Sequence, residues 1–101
     1  MELKFVSESE DTLVLSLSGR VDAVNAETLK EEMVKLTDEH NTPGLTIDAM
    51  NLEYISSAGL RALLFMAKRK EERIKLINVS EEIYEIFEVT NFVQILDIEQ
   101  R

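Results

Sequence analysis

The chain of 101 residues has no cysteine, one proline, one histidine and three glycines. Without cysteine there is no disulfide framework, no thiolate nucleophile and no zinc knuckle. That excludes the usual small secreted scaffolds and fits a reducing compartment. With Gly19, Gly44 and Gly59 as its glycines, the chain can assemble neither a phosphate-cradling loop nor a dinucleotide fingerprint. His40 stands beside the Pro43-Gly44 turn and reads as a solvated loop residue. A lone histidine gives a hydrolase triad little support, and Ser57-Ala58-Gly59 lacks the glycine two positions before the serine that a nucleophile elbow requires. Long apolar runs are missing too. The stretch Tyr54–Met66 contains Arg61 and two serines and falls short of the roughly 20 residues needed to span a bilayer. Met1-Glu2-Leu3-Lys4-Phe5 has neither the basic nor the apolar region of a signal peptide.

What the chain has is acid. Twenty Asp and Glu face 11 Lys and Arg, for a net charge of −9. Such charge repels nucleic acid and anionic membrane, so neither is expected as a direct partner, whereas a basic protein surface is compatible. A hydrophobic share of 45% with 31% charged residues is ordinary for a globular protein. The length suits one domain, residues 1–101, that buries roughly 60–65% of its unfolded surface.

Hydrophobic periodicity divides the chain. Leu3–Val6 and then Leu13, Leu15 and Leu17, alternating with Val14, Ser16 and Ser18, read as two strands around the turn Ser7–Asp11, a hairpin ended by Gly19. From Ala26 the spacing of Leu29, Met33 and Leu36 becomes helical, with Asn25 placed to cap and His40–Gly44 to terminate. Leu45–Met50 reads as a strand and Asn51–Ile55 as a loop. A second helix is expected from Ala58 to about Glu72 with Leu60, Leu63, Leu64 and Ala67 inward. Arg73–Val79 is a further strand, and Ser80 caps a third helix with Ile83, Ile86 and Phe87 inward. Phe92–Ile98 fits either a helical turn or a last strand. Strands alternating with helices predict an α/β fold, β-β-α-β-α-β-α with a possible closing strand. Its sheet is largely parallel beyond the first hairpin, with helices packed against it.

The start of the second helix stands out. Ser56 and Ser57 sit where free backbone N–H groups and the helix dipole favour an anion. A phosphate on Ser57 fits there without unfolding anything, and a plain N-cap fits equally. On the same helix Ala58, Ala62 and Phe65, with Arg69 among them and Met66 at their edge, lie roughly opposite the inward stripe. A strip of small residues around one aromatic, rimmed by Arg61, Lys68 and Arg69, has the makeup of a docking face. The other reading has a neighbouring helix cover Phe65 and Met66.

The segment Leu45-Thr46-Ile47-Asp48-Ala49-Met50-Asn51-Leu52-Glu53-Tyr54-Ile55-Ser56-Ser57-Ala58-Gly59-Leu60-Arg61 resembles the core motif of STAS domains of the anti-sigma-factor antagonist type. Leu17–Ala23, Ile77–Ser80 and Glu88–Phe92 resemble that family's other segments in the same order, so the likeness spans essentially the whole chain. It implies a four- or five-stranded mixed sheet flanked by three to four helices. It also implies phosphorylation at the serine before the small residue and glycine, here Ser57. The family frequently has aspartate where this chain has Ser56, which makes Ser56 the lesser second acceptor. Asp22 matches a position near the phosphosite, and Asn25 borders it. The resemblance implies partner switching. The unphosphorylated protein binds an anti-sigma factor, a small serine kinase, through Asp22, Asn25, Ser56, Ser57, Ala58, Arg61, Ala62 and Phe65. The sigma factor is thereby released. Phosphorylation reverses this, and a serine phosphatase resets it. The chain itself is then a non-enzymatic phosphoacceptor with no cofactor, cytoplasmic and monomeric when free. The alternative within the same family is an unphosphorylated accessory subunit of a membrane lipid- or ion-transport complex.

Overall fold

The structure, a computed structural model, describes residues 1–101. A hairpin opens the chain: β1 (Glu2–Glu8) pairs antiparallel with β2 (Thr12–Val21). Its turn is held by Ser9, whose Oγ accepts the Thr12 N–H at 3.2 Å. After α1 (Ala26–Glu39) the chain enters β3 (Gly44–Asp48), β4 (Leu52–Ile55), α2 (Ser57–Arg69), β5 (Lys75–Val79) and α3 (Glu81–Val89). A single 3₁₀ turn, Phe92–Gln94, precedes β6 (Asp97–Gln100), so the tail that fitted two readings contains both.

The strands form one mixed sheet in the order β1-β2-β3-β5-β6, with β4 on the far half of β2. Every pairing except β1–β2 is parallel. The expected α/β class holds. The additional strand is β4, in the segment expected to be a loop, and its origin lies in β2. Gly19 does not end that strand. It adopts φ +83°, a conformation open to glycine, at the point where the register skips from Gly19↔Leu52 to Arg20↔Tyr54. The first half of β2 therefore pairs with β3 from Thr12↔Gly44 to Ser16↔Asp48. Past the bend, its last residues pair with β4, ending at Val21↔Ile55.

Leu13, Leu15, Leu17, Leu45 and Ile47 point into one apolar cluster that also takes in Leu29 and Met33 of α1, Leu60, Leu63 and Met66 of α2, and Ile83 and Phe87 of α3. The alternating residues Val14, Ser16, Ser18, Thr46 and Asp48 are half-buried on the other side, as period 2 requires. All three inward stripes differ from the periodicity, α3 least, where Ile83 and Phe87 are buried and Ile86 is half-buried. On α1, Thr37 replaces Leu36, its hydroxyl donating back to the Met33 carbonyl at 2.8 Å. On α2 the buried residues are Gly59, Leu60, Ala62, Leu63 and Met66, while Leu64 and Ala67 are half-buried. The reason is that α2 packs against α1 as well as the sheet, which turns its buried arc toward Ala62 and Met66. The helix also stops three residues early. Lys70 is extended, and the chain must turn back there to bury Ile74.

Candidate functional site

Because β4 runs parallel to the end of β2, it delivers the next residues to the edge where the parallel strands finish. The Ser56 N–H donates to the Val21 carbonyl at 2.8 Å. Ser56 is extended, and its Oγ accepts the Gly59 N–H at 3.3 Å, so Ser56 is the N-cap of α2. Ser57 is the first helical residue, exposed, and its hydroxyl takes no part in the side-chain hydrogen bonds around the turn. One serine is committed to the fold and its neighbour is free for chemistry. Gly59 permits the close seating of α2: a Cβ there would lie 2.6 Å from Ile55 Cγ1 and 2.7 Å from Val21 Cγ1.

Beside this turn lies the loop from β2 to α1, joined to it through the Val21–Ser56 bond. Asn25 does not cap α1 with its side chain. Its Oδ1 accepts the Asp22 N–H at 2.9 Å and its Nδ2 donates to the Arg20 carbonyl at 3.0 Å. Asp22 Oδ1 in turn accepts the N–H groups of Val24 at 2.9 Å and Asn25 at 3.0 Å. The Ala26 N–H already bonds the Asp22 carbonyl at 3.1 Å. This is a capping box begun at Asp22 with Asn25 as its returning residue, so the capping function falls three residues before the expected position.

Between α1 and α2 runs a groove of about 360 Å³. Ala23, Ala26, Glu27 and Lys30 line one side, and Ala58, Arg61, Ala62 and Phe65 the other. The strip expected to face outward is thus the floor and wall of a concave surface. Ala62 is buried, Ala58 half-buried and Phe65 36% exposed, while Met66, expected at the edge, is fully buried in the core. The Phe65 ring carries Lys30 Nζ at 4.6 Å and Arg69 Cζ at 5.6 Å from its centroid, contacts worth about 0.5–1 kcal/mol each at an exposed site. Cations therefore cluster here in a chain of net charge −9.

Two residues of this edge were missed by sequence reasoning. Val24, 90% exposed, and Met50, 42% exposed, sit on the loops that follow β2 and β3. Their one signal is a large apolar side chain inside a polar turn, next to Asn25 and Asn51. The rim is further fixed by Asn78 Nδ2, which donates to Asp48 Oδ1 at 3.0 Å, and by the Arg101 guanidinium, which donates to the Asn78 and Met50 carbonyls.

The opposite edge holds a different chemistry. His40, at the end of α1, lies 2.9 Å from Glu8 Oε1 through Nδ1 and stacks on Phe5 with ring centroids 4.8 Å apart. It is a clip rather than a free loop residue. Glu8 pairs with Leu13 at the start of β2, so this histidine and Ser57 are at opposite ends of the sheet. Lys75 begins β5 at that far edge too, and its hydrogen bond to Glu99 holds its amine above the usual lysine range. No three His, Asp or Glu side chains gather as a metal site. No helix is long and apolar enough to cross a membrane.

Comparison with known proteins gives the site its context. A family model described as "Mlab, STAS domain" matches residues 5–97. The chain is 33% identical over 89 residues to BtrV of Bordetella bronchiseptica, named as a candidate anti-sigma factor antagonist, covering 85% of this chain and 76% of the relative. It is 28% identical over 96 residues to the anti-sigma-B factor antagonist of Bacillus subtilis, covering 92% and 86%. Among solved structures, an anti-sigma factor antagonist from Mycobacterium paratuberculosis superposes with a TM-score of 0.82 at 17% identity, covering 99% of this chain and 87% of that one. The anti-sigma factor antagonist SpoIIAA gives 0.79 in its unphosphorylated form at 15% identity, covering 96% and 87%. The phosphorylated form of the Bacillus cell fate determinant SpoIIAA gives 0.69 at 16%, covering 96% and 90%. These structures share the fold, and together with the family match and the relatives they establish that the chain belongs to the STAS domain family.

Proposed function

We propose that this protein is an anti-sigma-factor antagonist of the cytoplasm, which binds an anti-sigma factor that is also a serine kinase and is switched off by phosphorylation of Ser57. The observation that carries the reading is the split between the two serines. Ser56 is tied to the Gly59 amide, while Ser57 is exposed one residue later, next to the groove. The names of the Bordetella and Bacillus relatives support the antagonist role. That SpoIIAA has been solved with and without phosphate supports a switch of this kind on this fold.

The chemistry asks little of this chain. Ser57 Oγ attacks the γ-phosphorus of the kinase's own magnesium-bound ATP, the O–P bond forms, ADP leaves, and the hydroxyl proton passes to a base of the kinase. A phosphatase later hydrolyses the ester. In the unphosphorylated state Asp22, Asn25, Ser56, Ser57, Ala58, Arg61, Ala62 and Phe65 form the binding surface. Asp22 and Asn25 serve it by holding their loop in shape. Phosphate brings roughly −1.5 to −2 charges to a surface that had fitted a neutral hydroxyl, and burying it against a partner is costly. A loss of about 3 kcal/mol weakens binding about 150-fold.

Calorimetry with the kinase of the same organism tests this. Ser57→Ala is expected to bind like the unmodified protein and Ser57→Asp to lose binding, with the transferred phosphate mapped to Ser57 and not Ser56. If both variants bind equally well, the switch is wrong. A second reading within the same family is a permanently docked accessory subunit of a membrane lipid- or ion-transport complex. Co-purification with such a complex, with Ser57 unmodified in cells, is its signature.

A further inference from the structure

The chain carries 20 acidic residues against 11 basic ones, so an arginine without a partner is conspicuous. Arg20 stacks on Tyr54 at 4.5 Å, Arg69 meets Asp38 at 3.4 Å, and Arg73 and Arg101 donate to backbone carbonyls. Arg61 is exposed and enters neither an ion pair nor a hydrogen bond. Its helical neighbours three and four residues away are Ala58, Leu64, Ser57 and Phe65, none of them acidic. On a helix, positions i and i+4 share one face with Cβ atoms roughly 5–6 Å apart. Helical side chains as a rule lean toward the N-terminus, which is the direction in which Ser57 lies from Arg61. An anion four residues before a cation is also the more favourable order of the pair. The planar guanidinium matches phosphate oxygens two at a time.

We propose that Arg61 is the internal counter-ion of phosphorylated Ser57, closing on the phosphate across one turn of α2 and leaving the α1–α2 groove as it does so. One modification then alters the docking surface twice. It adds a dianion at the start of α2, and it withdraws the groove's one unpaired cation, since Lys30 is held by Glu27 at 3.6 Å and Arg69 by Asp38. This inference rests on the reading of Ser57 as the phosphosite.

The test installs phosphoserine at position 57 genetically, so that no kinase is needed, and follows the phosphate by ³¹P NMR against pH. At low salt the second ionisation of the phosphate is expected about half a pH unit lower with Arg61 than in Arg61→Gln, with Arg61→Lys between them. The gap is expected to narrow in about 1 M salt, where screening is nearly complete over such distances. The helix N-terminus acts equally on all three proteins and cancels from the difference. The urea midpoint of each variant shows that it is folded. Coincident low-salt titrations of the parent and the Arg61→Gln protein overturn the clamp and leave the phospho-switch standing. A kinase that spares Ser57 overturns the switch, whatever the titrations show.

Discussion

Asp22 and Asn25 accept each other's backbone amides, Asn25 Oδ1 taking the Asp22 N–H at 2.9 Å and Asp22 Oδ1 the Asn25 N–H at 3.0 Å. The box starts α1, and it also fixes the loop that carries Val24 beside the start of α2. Removing the carboxylate strands the Val24 and Asn25 amides. Asp22→Ala is therefore expected to lose about 1 kcal/mol of stability, or roughly 5 °C in Tm for a chain of this size, while Asp22→Asn keeps most of it. Urea unfolding of the two variants decides the point, and equal losses would mean that the hydrogen bonds of this box contribute nothing.

The adjacent serines are expected to separate cleanly in stability. Ser56→Ala removes the acceptor of the Gly59 amide and is expected to cost about 1 kcal/mol. Ser57→Ala removes an exposed hydroxyl outside the cap and is expected to stay within about 0.5 kcal/mol of the parent. Chemical denaturation distinguishes them without a partner protein. The reverse ranking would make Ser57 the cap and take away the ground for treating it as the free hydroxyl.

Gly59→Ala pits helix propensity against space. Alanine is the better helix former by about 1 kcal/mol. Its Cβ, however, would press on Val21 and Ile55, which are buried and cannot swing aside; overpacking of this kind costs about 1–3 kcal/mol. The variant is expected to be less stable, with α2 pushed off β2 and β4. A gain in urea midpoint would show that the helix can shift without penalty.

Much of this architecture was legible because its elements carry strong periods. The leucines of β2 alternate, and Leu29 and Met33 of α1 keep helical spacing. β4 was hidden for two physical reasons. Its residues Leu52–Ile55 are too few to display a period, and glycine at position 19 reads as a strand end, whereas here it bends β2 toward a second neighbour. The capping of α1 was displaced for a related reason: Asn25 is a good capping residue type, but so is Asp22, and only the tertiary position of the loop chooses between them. For the site, the stretch from Ser56 to Phe65 was visible as a segment. Its concavity was not, because the groove is made by α1 approaching from about 30 residues away in sequence, and periodicity within one helix does not report what lies across from it.

The rotation of α2 supplies the sharpest contrast between stability and binding. Phe65 and Met66 are neighbours in sequence; periodicity puts Phe65 in the strip and Met66 at its edge, with cover of both by a neighbouring helix as the other reading, and the structure covers Met66 alone. Met66 is fully buried and belongs to the core cluster, whereas Phe65 is 36% exposed on the groove wall. Met66→Ala is expected to cost about 2–5 kcal/mol of stability through the cavity it leaves. Phe65→Ala loses two surface cation–π contacts and a partly covered ring, a cost of about 2 kcal/mol, at the low end of that range. For partner binding the order reverses. An aromatic ring in a groove flanked by small residues has the makeup of an interface hot spot worth about 2 kcal/mol, so Phe65→Ala is expected to weaken kinase binding about 30-fold. Met66→Ala, measured well below its unfolding midpoint, is expected to bind within a few-fold of the parent. Calorimetry and urea unfolding on the same two proteins give both axes. If Phe65→Ala binds normally, the groove is not the docking surface, and the contacts must come from the rim of Val24 and Met50.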